Sequence, residues 1–138
     1  MTDPINIALR FLKFRPRSVF EVEQKLKTKK ISEGEIKKVI TVLKRNKLLD
    51  DGKFAKMWVG DRNLLKPKGS FVLKMELKKL GISDQDIEGT LGGQDEEELA
   101  KKALEMKFRD RNIDYEKKVA FLMRRGFSQN VVYKTIKR

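Results

Sequence analysis

The sequence predicts an all-α protein of three tandem three-helix modules in an elongated, curved array, and three observations predict it. The first is repetition. The stretch from Leu26 to Ile31-Ser32 recurs from Leu77 to Ile82-Ser83 and again from Leu122 to Phe127-Ser128, at offsets of 51 and 45 residues. Ile36 and Ile40, Ile87 and Leu91, and Val132 and Ile136 follow each Ser by four and eight residues, which is helical spacing. A period near 50 with that spacing inside it marks a row of repeated units. The second observation is that no apolar–polar alternation of useful strand length occurs. The third is composition: with 38% of 138 residues charged and 8% aromatic, a lone unit buries little, so neighbouring units must share their cores.

The expected units are 1–49, 50–93 and 94–138. In the first, Ile7, Ala8, Phe11 and Leu12 form one stripe that Pro16 ends. Ser18 with Glu21 reads as a capping box for a second helix with Val19, Val22 and Leu26 inside. Ser32 with Glu35 opens a third, lined by Ile36, Val39, Ile40 and Leu43. In the second unit, Asp50-Asp51 precedes the stripe Phe54, Ala55, Trp58, Val59. The turn Lys66-Pro67-Lys68-Gly69 leads to a helix expected to be capped by Ser70 and stopped by Gly81, and Ser83 with Asp86 starts the next. In the third, Asp95 with Glu98 opens a helix carrying Leu99, Ala100, Ala103 and Leu104. Asp114 starts the middle helix, Gly126 stops it and Ser128 caps the last.

Lys30 stands where the other units have Gly81 and Gly126, so a shared turn geometry puts Lys30 in a left-handed conformation. Phe20 and Phe71, six residues before each repeat Leu, are expected to pack between modules. The third unit has Glu116 there and no successor to pack against.

Cys and His are both absent, which removes disulfides, thiolate metal sites, His-based triads and the commonest neutral-pH acid–base group. No calcium-loop or phosphate-loop spacing surrounds the acidic clusters Asp50-Asp51 and Asp95-Glu96-Glu97-Glu98, which sit where helix dipoles favour negative charge. No enzyme, metal or cofactor is expected. No apolar run approaches a membrane span, and the first residues lack a basic stretch followed by an apolar one, so a soluble cytoplasmic protein is expected.

The net charge of +13 points to a polyanion or an acidic protein surface as partner, with a heavily solvated Lys-rich surface as the alternative. Residues 1–50 hold 13 basic and 6 acidic groups, so the excess is concentrated there. Arg forks suit carboxylate and phosphate, and Arg is placed selectively: Arg10, Lys13, Arg15 and Arg17 around the first turn, Arg109 and Arg111, then Arg124 and Arg125. No acidic neighbour in sequence is seen to neutralise them. Lys66 and Lys68 join this candidate partner-binding set because they flank a helix start, although Pro67 and Gly69 also make an ordinary turn.

Arg17-Ser18 with Glu21 and Lys25-Leu26, Leu49-Asp50-Asp51 with Phe54-Ala55, Lys66-Pro67-Lys68-Gly69, Glu76-Leu77 with Gly81-Ile82, and Phe121-Leu122 with Arg124 to Ser128 stand in one order and spacing. Together they resemble the RecX family of bacterial recombination regulators. The resemblance runs from about residue 8 to 138. Lys30, and Lys118 where the other units have Val22 and Leu73, depart from the pattern. The resemblance implies a monomer of tandem modules that binds RecA, lodges in the groove of the RecA–DNA filament and suppresses ATP hydrolysis and strand exchange. Weak non-specific binding to single- or double-stranded DNA is expected from charge alone. The rival reading is a general DNA-binding protein with helix-turn-helix-like modules.

Overall fold

The structure, a computed structural model, describes residues 3–109 and 112–136; Arg111 of the candidate set lies outside them. Nine helices and no strand occur among the described residues. They are α1 Pro4–Phe14, α2 Val19–Thr28, α3 Glu33–Arg45, α4 Asp51–Leu65, α5 Ser70–Lys79, α6 Asp84–Leu91, α7 Glu96–Phe108, α8 Tyr115–Arg124 and α9 Gln129–Thr135.

The starts follow from capping chemistry. Ser32, Asp50, Ser83, Asp95 and Ser128 each accept a hydrogen bond from the backbone N–H three residues on, a contact worth about 1 kcal/mol. Ser18 and Glu21 form the full reciprocal box, whereas Ser32 takes the one-way bond from the Glu35 amide. At α5 the expectation is corrected. Gly69 is the N-cap and Ser70 the first helical residue, because the Ser70 hydroxyl is directed at Glu96 on α7. The middle helices end alike, with Lys30 at φ 61°, Gly81 at φ 77° and Gly126 at φ 90°. Lys30 is therefore left-handed, as the repeat register requires.

Burial divides the apolar residues into three clusters. Ala8, Val22, Leu26, Ile36, Val39, Ile40, Leu43 and Leu49 make the first. Phe54, Ala55, Val59, Leu73, Leu77, Ile82 and Ile87 make the second, and Ala100, Ala103, Phe121, Leu122, Phe127, Val132 and Ile136 the third. Every helix pair in extensive contact lies within one of these groups. The accessible surface is 9,589 Å² for 16.1 kDa. A compact monomer of that mass exposes about 7,400 Å². The excess is what units in a row, each touching only its neighbours, must show.

The two joints between groups use one design in register. In each, the start of one middle helix docks on the end of the next group's middle helix. At the first, the buried Ser18 hydroxyl donates to the Leu80 carbonyl at 2.7 Å and the Val19 amide donates to Asp51 Oδ1 at 2.9 Å. At the second, the Gly69 amide donates to the Arg125 carbonyl at 2.8 Å and the Ser70 amide to Glu96 Oε1 at 2.9 Å. Val19 and Ser70 are equivalent positions, as are Asp51 and Glu96, and Leu80 and Arg125. The acids that sequence reading places only at helix starts thus also satisfy an amide of the preceding group.

Candidate functional site

The positive charge has to be divided between cations that hold the fold and cations that are free to meet a partner. Arg15 and Arg17 belong largely to the first kind. Glu21 pairs with Arg15 and lies 3.7 Å from Arg17 Nη1, so one carboxylate is shared by two guanidiniums and leaves a net positive charge there. Arg17 also stacks 3.8 Å above the Phe11 ring and donates from Nε to the Phe11 carbonyl. Burial, then the Arg15 charge, pull its proton affinity down against the opposing pull of Glu21.

Lys68 is likewise engaged. Its Nζ donates to Glu76 Oε2 at 2.9 Å, beside the Trp58 Nε1 bond to Glu76 Oε1 at 3.1 Å and Arg62 at 3.4 Å. Burial pushes the Glu76 carboxyl up, but these three partners outweigh it and hold the group below the usual carboxylate range. Arg125 bonds the Pro67 carbonyl at 3.1 Å and lies over Phe121, and burial lowers its proton affinity. Arg125 is a joint residue.

Arg10, Lys13, Lys66, Arg109 and Arg124 are exposed. Arg10 is the one the structure gathers into a cleft. The space between α1 and α2, about 290 Å³, is lined by Arg10, Lys25 and Lys29 together with Ile7, Phe11 and Phe14, and no carboxylate lines it. Phe14 is 84% exposed and Lys25 Nζ sits 5.4 Å from the Phe11 ring. Three cations around exposed aromatic surface suit a phosphate-bearing or acidic partner. Sequence reading missed Lys25 and Lys29. Their signal was the four-residue spacing of Lys25–Lys29 opposite that of Arg10–Phe14, which stacks each pair on one helix face.

Phe20 and Phe71 part company. A Cβ on Gly81 would lie 2.3 Å from the Phe20 Cβ, so Phe20 packs on the next group's turn as expected. Phe71 is 69% exposed, because at the second joint Val72 meets Gly126 instead. Gly69 backs directly onto Gly126 there, and that closer approach turns Phe71 outward.

Comparison with known proteins decides the family. The family model described as RecX, first three-helix domain, matches residues 5–43, and that for the second three-helix domain matches residues 50–91. The chain belongs to the RecX family. It is 34% identical over 135 residues to the regulatory protein RecX of Chlorobium phaeobacteroides, covering 95% of this chain and 89% of that one. It is 37% identical over 94 residues to RecX of Leuconostoc mesenteroides, and there it spans only 35% of the longer protein. The crystal structure of RecX from Lactobacillus salivarius superposes with a TM-score of 0.80 at 28% identity, over 96% of this chain and 91% of that one. Similarity to solved RecX structures thus reaches the third helical group as well as the two that the family models match. Among the described residues, no helix is long and apolar enough to cross a membrane.

Proposed function

We propose that this chain is a non-enzymatic cytoplasmic regulator that binds RecA and the RecA–DNA filament and inhibits its ATPase and recombinase activities. The observation that carries the reading is similarity over 95% of this chain to a protein named regulatory protein RecX. Residues 1–49, 50–93 and 94–138 are taken as its three modules, acting as one monomer. Joints built from paired backbone and side-chain bonds hold the modules in a fixed row. Weak contacts in a fixed row gain strength together, and a bridge across protomers opposes the relative motion that ATP turnover requires. The cleft of Arg10, Lys25 and Lys29, with Lys13, Lys66, Arg109 and Arg124, supplies the attraction to a nucleoprotein polyanion and a weak, non-specific affinity for DNA.

The rival reading, a general DNA-binding protein, is disfavoured by the third helices of the first two groups, though not by α9, whose first turn holds no acid. Glu33 and Glu35 occupy the first turn of α3, and Asp84 and Asp86 that of α6, where a recognition helix would meet bases and phosphates. RecA ATPase on single-stranded DNA, measured with and without the protein, separates the two. A fall in hydrolysis is expected. Undiminished hydrolysis together with DNA binding of steep salt dependence would establish the DNA-binding reading instead.

A further inference from the structure

Two grooves in different modules are one site repeated. The groove between α2 and α3 encloses about 400 Å³ and that between α5 and α6 about 460 Å³. Their shared lining falls into a single register of 51 residues. Ile36 and Ile40 form the floor of the first, Ile87 and Leu91 that of the second. Lys27 and Lys78 stand on the middle-helix wall, and Glu33 and Asp84 at the start of the opposite wall. The outer charges are not shared: Glu23 and Lys37 in the first groove face the positions of Lys74 and Glu88 in the second. What repeats is therefore an apolar floor between one ammonium and one carboxylate.

The third module breaks the pattern. Met123 and Gln129 occupy the positions of Lys78 and Asp84, so both charges are gone. In the second groove Lys78 Nζ lies 3.9 Å from Asp84 Oδ1, with side chains 48% and 81% exposed. An exposed pair at that distance contributes little and is readily exchanged for a partner's groups. Phe71, exposed at the rim, adds an aromatic anchor of the kind that dominates protein interfaces.

We propose that these two grooves are protein-docking sites and that each takes the same amphipathic segment from successive protomers of one polymer. That segment presents an apolar side chain to the floor, a carboxylate to Lys27 or Lys78, and a cation to Glu33 or Asp84. The inference rests on the filament-binding reading and names the face that makes the protein contact, separate from the basic cleft on α1. Two copies of one site, held at a fixed separation by the first joint, match a partner whose own surface repeats.

The test uses the full chain with Lys27→Glu, Lys78→Glu, Phe71→Ala and the Lys27→Glu/Lys78→Glu pair. Affinity is measured by fluorescence anisotropy for RecA filaments on single-stranded DNA, with helicity and thermal melts as fold controls. Each charge reversal is expected to weaken filament binding about 10-fold, Phe71→Ala by a similar factor, and the pair about 100-fold, as two grooves engaged together require. Lys27→Gln and Lys78→Gln, which add no repulsion, should rank the same with smaller losses. Affinity for free single-stranded DNA should fall far less. Undiminished filament binding in all variants overturns the groove assignment and leaves the regulator reading standing. A pair no weaker than one of its singles overturns the double use. Sedimentation showing a self-associated protein that the variants dissolve would make the occupant a second copy and overturn the proposal. No filament binding by the unaltered chain would overturn both readings.

Discussion

A glycine and a lysine at equivalent positions carry different burdens. Lys30, Gly81 and Gly126 all lie at positive φ, which costs a residue with a Cβ about 1 kcal/mol. At Gly81 and Gly126 the preceding module sits on the turn, and a Cβ would come within 2.3 Å of Phe20 and 2.5 Å of Val72. The Lys30 side chain is exposed, so this residue bears the backbone cost alone. Lys30→Gly is therefore expected to be neutral or stabilising by up to about 1 kcal/mol. Gly81→Ala and Gly126→Ala should each lose more than the backbone cost. Gly69→Ala, whose Cβ would lie 2.2 Å from the Gly126 backbone, should destabilise by about 1–3 kcal/mol although its φ is ordinary. Thermal melts of the four variants check this order, and a clear loss in Lys30→Gly would show that the first turn is not strained. The left-handed Lys30 was legible from the repeat alone. The need for Gly69 was not, because it depends on how closely two distant turns approach.

At the scale of the helix, two of the three middle helices begin on an acid borrowed from the next module. Asp51 accepts from the Val19 amide, and its carboxyl is raised above the ordinary 3.8, burial first, with the Asp86 and Asp50 charges adding and the amide and Lys44 opposing. A carboxyl with a raised native value binds its proton more tightly in the fold. The stability it contributes is complete below about pH 3.8 and is lost as pH rises through the native value. Asp51→Asn keeps an oxygen for the Val19 amide and removes a charge that burial penalises. It should melt at or above the unaltered protein at pH 7, and the unaltered protein should gain on it as pH falls toward 4. Asp51→Ala, which leaves the amide bare, should melt lower at both. If Asp51→Asn were the less stable at pH 7, with the gap closing in acid, the carboxylate charge itself would be holding the joint. The helices themselves were readable from capping residues and spacing. Their borrowed caps were not, since periodicity says where a helix starts and nothing about which amide its acid reaches across to.

Taken whole, the molecule is a row with more surface than its mass requires, and small-angle scattering should report it. A compact globule of 138 residues has a radius of gyration of about 14 Å. A clearly larger value is expected for the monomer, and one near 14 Å would contradict a row of modules. The three-unit plan, the sign of the charge and the family resemblance were all legible in the sequence. The split between structural and free cations was not. Read along the chain, Arg15, Arg17, Lys68 and Arg125 look unpaired, and only the fold brings Glu21, Glu76 and the Pro67 carbonyl to them. Nor did charge disclose the repeated grooves, whose net charge is nil.

The direction of borrowing at the joints also sets an order in time. A chain emerging from the ribosome makes the Val19 amide before Asp51 exists, and the Ser70 amide before Glu96. Ser18 waits longer still, until Leu80 can accept its hydroxyl. The first two middle helices are thus synthesised one module ahead of the residues that complete them. Nascent modules are finished in arrears, whereas Asp114 at the start of α8 makes no side-chain cap bond.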